Sequence, residues 1–151
     1  MLDKKIPAPV SAMIIGALMK WYAHLSDILM DPSTIRMEIG IGLSQLSAVI
    51  ALMGMACFWR VRTTINPLDP GKASCLVTNG IFRMSRNPMY LSLLLLLVAY
   101  AIRLDSLAVW LGPLIFVAYV TRFQILPEEH ALAEKFGEAY LDYKHRTRRW
   151  I

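Results

Sequence analysis

Apolar positions in this chain do not alternate with polar ones as they would around a soluble core. They gather into four runs separated by charged stretches. The first runs from Ile6 to about Leu25, opened by Pro7 and Pro9, which suit a helix start. Lys20 interrupts it near its far end, where a lysine stem can snorkel outward beside Trp21, Tyr22 and His24. Read alone, Lys4, Lys5 and this apolar core resemble a signal peptide, but no small-x-small cleavage site follows cleanly. The second run, Ile39 to Trp59, holds no charge. Its Gly40, Gly42, Ser44, Ser47 and Gly54 let helices approach closely in lipid, and Gln45 reads as a polar link between helices. The third, Pro88 to Ile102, falls short of a hydrocarbon core of roughly 30 Å at about 1.5 Å per residue. The fourth runs from Leu107 to Leu126, with Ser106 as a candidate N-cap and Gly112-Pro113 as a predicted kink. The short Leu104-Asp105-Ser106 turn makes the last two runs an antiparallel hairpin.

The pattern predicts an all-α polytopic membrane protein. It is a single domain over 1–151, with spans at about 6–25, 39–59, 88–102 and 107–126, a loop at 60–87 and an amphipathic C-terminal helix at 127–147. Composition agrees: 56% of residues are hydrophobic and 18% charged, against about 25% charged in a soluble domain. The formal charge of +5 is unevenly placed. Lys4, Lys5, Arg60, Arg62, Lys72, Arg83, Arg86, Lys135, Lys144, Arg146, Arg148 and Arg149 fall to one side of a four-span arrangement. Arg36 and Arg103 fall to the other, with Asp27, Asp31, Glu38 and Asp105. The positive-inside rule then puts both termini and the 60–87 loop in the cytoplasm, with a bacterial inner membrane as the expected location.

Little else in the sequence points to chemistry. Cys57 and Cys75 fit no metal or redox spacing, and both are expected to stay reduced. His24, His130 and His145 are scattered, so no metal is assigned. No Walker loop, G-x-S-x-G turn or nucleic-acid module is present. No βα pattern exists to carry the glycine-rich turn of a Rossmann-type methyltransferase.

Two segments go beyond what spanning a membrane requires. In Gly80-Ile81-Phe82-Arg83-Met84-Ser85-Arg86-Asn87-Pro88-Met89-Tyr90-Leu91, Asn87 is a candidate N-cap and Pro88 a good first helical residue. A helix start flanked by two arginines can receive an anion such as an amino-acid carboxylate. Taken by itself, the segment reads better as a capped helix with topology-setting arginines. The second segment begins at Pro127-Glu128-Glu129, where the acids either complement a helix dipole or grip hydroxyls or a cation. Leu132, Phe136, Tyr140 and Tyr143 then recur at helical spacing and form one face with two phenolic tips.

Together these segments resemble the signature of the isoprenylcysteine carboxyl methyltransferase and phospholipid methyltransferase family of membrane enzymes. The resemblance runs over the last half of the chain. It rests on Gly80, Phe82, Arg83, Arg86, Asn87, Pro88 and Tyr90, then Glu128 and Glu129, then Phe136, Gly137, Tyr140 and Tyr143, then Arg149 and Trp150. Asn87 stands where many relatives carry His, Phe82 where Tyr is common, and Ser92 where Gly is common. The resemblance implies S-adenosylmethionine as cofactor, held by Arg83, Arg86, Asn87, Pro88, Tyr90, Leu91, Glu128, Glu129 and Tyr140. It implies a lipophilic acceptor at the cytoplasmic face, with carboxyl O-methylation preferred. A carboxylate needs orientation by a cation and no general base, so Arg149 is the first candidate, ahead of Arg146 and Arg148. Glu129 and Tyr143 are the candidate partners for proton handling if the acceptor is an amine. Phospholipid N-methylation, a NADPH-dependent reductase of the sterol-reductase type and a non-catalytic membrane scaffold are the alternatives. Oligomeric state is open.

Overall fold

The structure, a computed structural model, describes residues 6–28, 33–61, 75–104 and 106–151. Lys4, Lys5, Asp31, Arg62, Lys72 and Asp105, used above for the charge asymmetry, lie outside these residues. Among the described residues all regular structure is helical. Helix α1 covers Ala8–Leu25, α2 Thr34–Val61 and α3 Pro88–Arg103. A 3-10 turn at Gly80–Arg83 precedes α3. After a second 3-10 turn at Leu107–Trp110 come α4 (Leu111–Val120), a π-helical turn (Thr121–Ile125) and α5 (Leu126–Phe136), in one continuous rod. Helix α6 is Glu138–Arg146.

Each expected apolar run lies largely in helical residues, and among the described residues two helices are long and apolar enough to cross a membrane: Thr34–Arg60 and Leu107–Phe136. Helix α3, with 16 residues, reaches about 24 Å and is shorter than a typical hydrocarbon core.

Helix α3 is the hub, because α1, α2 and α4 all pack against it. Met19 and Ala23 of α1, Leu97 and Ala101 of α3, and Phe116 and Val120 of α4 form one buried cluster. A second joins Ile50 of α2, Ile81 and Phe82 of the 3-10 turn, Leu91 of α3, and Tyr140 and Tyr143 of α6. Ser47 donates to the Ser92 carbonyl at 2.7 Å, a buried link between α2 and α3. Such a bond satisfies a hydroxyl where lipid offers no partner.

Several local expectations change. Neither Asn87 nor Ser106 caps its helix through its side chain. The fourth run departs from α geometry at 107–110 and 121–125, on either side of Gly112-Pro113. Pro113 follows closely on the 3-10 turn, three residues past Trp110. Gly112 serves contact: a Cβ there would come within 2.5 Å of the Met19 sulfur on α1. The stretch 127–147 is two helices, because Gly137 takes φ +51, ψ −128, a conformation that side-chain-bearing residues rarely adopt.

Candidate functional site

The start of α3 and the last residues of the chain are laced together. Arg86 donates its backbone N–H to the Arg148 carbonyl at 3.0 Å. The Asn87 amide donates to the Arg149 carbonyl at 2.9 Å, and Ser85 Oγ accepts the Asn87 N–H at 3.1 Å. Asn87 therefore spends its side chain on the C-terminal segment. The first-turn amides of α3 have no side-chain cap.

The rod brings Glu128 and Glu129 to this point, two residues past the apolar run that ends at Leu126. The π turn just before them adds a residue to the helical repeat and sets the direction in which the pair points. The two carboxylates diverge. Glu129 is buried and takes a two-pronged bond from Arg149, Nε to Oε1 and Nη2 to Oε2, both 2.9 Å. Arg86 Nη2 lies 3.3 Å from Oε1 of the same carboxylate. Glu128 turns the other way and accepts the Tyr90 hydroxyl at 3.1 Å. Glu128 faces a cavity of about 340 Å³.

That cavity has two kinds of wall. Arg86, Asn87, Tyr90 and Glu128 form its polar side. Pro9 of α1, Ala51 and Phe58 of α2, and Met89 and Leu93 of α3 form its apolar side. Arg86 contributes a further feature: its Nε and Nη1 are buried and have no hydrogen-bond partner. A buried donor without a partner costs about 1–3 kcal/mol, so an anionic group reaching this guanidinium would be favoured.

Electrostatics follow the geometry. Burial pushes the Glu128 carboxyl up to about 7; the Tyr90 hydrogen bond opposes this and the neighbouring Glu129 charge adds to it. Burial also acts upward on Glu129, but the Arg149 bonds and the charges of Arg86, Arg149 and Lys144 outweigh it and hold this carboxyl below its ordinary value. Tyr140 is raised to about 12, first by burial and then by Glu129. Tyr143 is raised by burial, and its hydroxyl donates to the Phe82 carbonyl at 2.7 Å. The hydrogen bonds to Glu129 raise Arg149.

The residues singled out from sequence thus separate into groups. Arg86, Asn87, Pro88, Tyr90 and Glu128 line the cavity. Glu129 and Arg149 form an ion-paired cluster joined to it through Arg86. Tyr140, Tyr143 and Leu91 pack in the second core cluster, and Arg83 is exposed. Sequence reading missed Pro9, Ala51, Phe58 and Leu93 as cavity walls. Apolar side chains inside apolar runs carry no signal that separates a cavity wall from a lipid-facing position. Among the described residues no group of three His, Cys, Asp or Glu side chains could hold a metal ion.

A family model described as phospholipid methyltransferase matches residues 35–139, which include the start of α3 and the acidic pair. An uncharacterized protein of Haemophilus influenzae is 48% identical over 63 residues, 42% of this chain and the whole of that protein. No solved structure matches.

Proposed function

The chain belongs to the phospholipid methyltransferase family, and from that membership we propose that it transfers the methyl group of S-adenosylmethionine to a lipophilic acceptor in the cavity at the start of α3. The observation that carries this reading is the cavity itself: one hollow with a partly unpaired guanidinium, a carboxylate and an apolar wall. These groups match a cofactor with a carboxylate at one end and a sulfonium cation at its centre.

The fit can be stated residue by residue. Arg86 and the uncapped first turn of α3 would hold the methionyl carboxylate, with charge and helix dipole acting together. Glu128 would face the cationic region or the ribose hydroxyls, held in place by Tyr90. The cofactor supplies an activated methyl group. The chain supplies alignment, which accounts for much of the acceleration in a displacement that needs no covalent help from the enzyme. Pro9, Ala51, Phe58 and Leu93 would receive the acceptor's apolar part and exclude water. Arg149, Glu129 and Tyr143 act as positioning residues: the first two hold Arg86, and the third holds the turn that carries Phe82.

The acceptor we favour is a carboxylate, which is nucleophilic at neutral pH without a base and can be oriented by a guanidinium. One observation supports an amine instead. Glu128, with a carboxyl pushed up to about 7, is suited to take the proton that an ammonium must lose. We place the runs at about 6–25, 39–59, 88–102 and 107–126 across the membrane as four spans, with both termini and the cavity on the cytoplasmic side.

Titrating the purified protein with S-adenosylmethionine tests the proposal. Saturable binding that weakens at least tenfold in Glu128→Gln is expected. No binding, or equal binding by the variant, overturns it. Base-lability of the methylated product then separates an ester from an amine.

A further inference from the structure

The end of the bundle away from the cavity carries a second hollow. A groove of about 640 Å³ runs between α2 and α3, with Ile41 and Leu96 on its apolar walls. Arg103, the last residue of α3, stands at its mouth. A Cβ on Gly40 would lie 3.2 Å from Arg103 Cγ and 3.3 Å from Cδ, so the arginine stem lies directly on α2. Gln45 and Tyr100 also line the groove, and neither has a hydrogen-bond partner among the described residues. Gln45 sits five residues past Gly40, about 7 to 8 Å deeper along the helix.

An exposed amide inside an apolar helix has no partner in hydrocarbon, and such groups are costly unless something meets them. The order of chemistry along the groove is a cation at the mouth, an amide and a phenol below it, then apolar walls. A glycerophospholipid carries its groups in the same order: phosphate, ester oxygens, acyl chain. We propose that this groove is the seat of one glycerophospholipid, its phosphate on Arg103 and its ester oxygens within reach of Gln45 and Tyr100. The proposal rests on α2 and α3 being membrane-embedded, and it does not depend on the methyl-transfer chemistry. Its Arg103 mouth lies about 23 Å along α3 from Pro88, and its lining residues are distinct from those of the cavity, with Ala48 and Leu96 one helical turn from the cavity walls Ala51 and Leu93.

The test begins with alkaline carbonate extraction of membranes holding the full chain. Release into the supernatant would sink the membrane reading itself. With the chain retained, native mass spectrometry from mild detergent reads bound phospholipid. One phospholipid per chain is expected, with occupancy at least threefold lower in Arg103→Gln and in Tyr100→Phe, the latter keeping the ring and removing only the hydroxyl. Occupancy unchanged in both variants, or no retained lipid, overturns the proposal. So does a lipid-free dimer that Gln45→Leu dissociates, because the groove would then be a contact between copies of the chain.

Discussion

Glu128 and Glu129 are neighbours in the chain, yet they sit in two regions that behave oppositely. Around Glu129 every carboxylate oxygen is engaged: Arg149 takes both at 2.9 Å and Arg86 shares one. Around Glu128 there is one phenol and an open cavity. The closed cluster holds its carboxyl below the ordinary range, while burial lifts the open one to about 7. Rigidity and reactivity are thus divided between adjacent residues. The satisfied side fixes Arg86, and the unsatisfied side is left to meet a ligand.

The largest effect should come from breaking the closed side. Glu129→Ala strips the partner from the buried Arg86 and from the partly exposed Arg149. Removing one member of a buried charged cluster typically costs about 3–5 kcal/mol. Thermal unfolding in detergent should show a fall of this size. A loss under 1 kcal/mol would show that the cluster does not hold the fold.

Tyr143→Phe comes next. It leaves the Phe82 carbonyl without its 2.7 Å donor, at about 1–3 kcal/mol. Unfolding should report that loss, and cofactor affinity should change less than in Glu128→Gln.

The open side should respond in the other way. Glu128→Gln should weaken S-adenosylmethionine binding at least tenfold, about 1.4 kcal/mol. Because burial raises this carboxyl, the unliganded fold favours its protonated form. At pH 8 the amide should therefore leave unfolding stability unchanged or slightly raised. A large loss of stability would place Glu128 on the same footing as Glu129.

The pH dependence sharpens the same contrast. With the Glu128 carboxyl at about 7, a cationic ligand meets a neutral acid below that pH and a carboxylate above it. Affinity should rise with pH up to about 7, approaching tenfold per unit at the acid end, and level off beyond. Isothermal titration at several pH values should show this in wild type and a flatter profile in Glu128→Gln.

The smallest effect is reserved for Arg83, which is exposed at the end of the 3-10 turn. Arg83→Gln should change stability by less than about 0.5 kcal/mol and leave cofactor affinity as it was. A clear loss of binding would return it to the site.

The sequence alone determined the helical character, the four apolar runs and the two segments that carry chemistry. These are local properties. Hydrophobicity along a run decides what a helix can face, and the proline after Asn87 marks a helix start whatever surrounds it. The break at Gly137 is not read from the sequence, which predicts one helix over 127–147; the positive φ that makes the break appears only in the structure. Tertiary structure decided which arginine stands in the cavity and which stands behind it. Arg86, Arg148 and Arg149 look alike in a basic list, but Arg149 spends its fork on Glu129 while Arg86 keeps two nitrogens unpaired. It also made cavity walls of Pro9 and Phe58, and gave Glu128 and Glu129 different fates. The physical reason is that a polar side chain's role depends on which partner reaches it first. Those partners lie 20 to 64 residues away along the chain, beyond any local pattern.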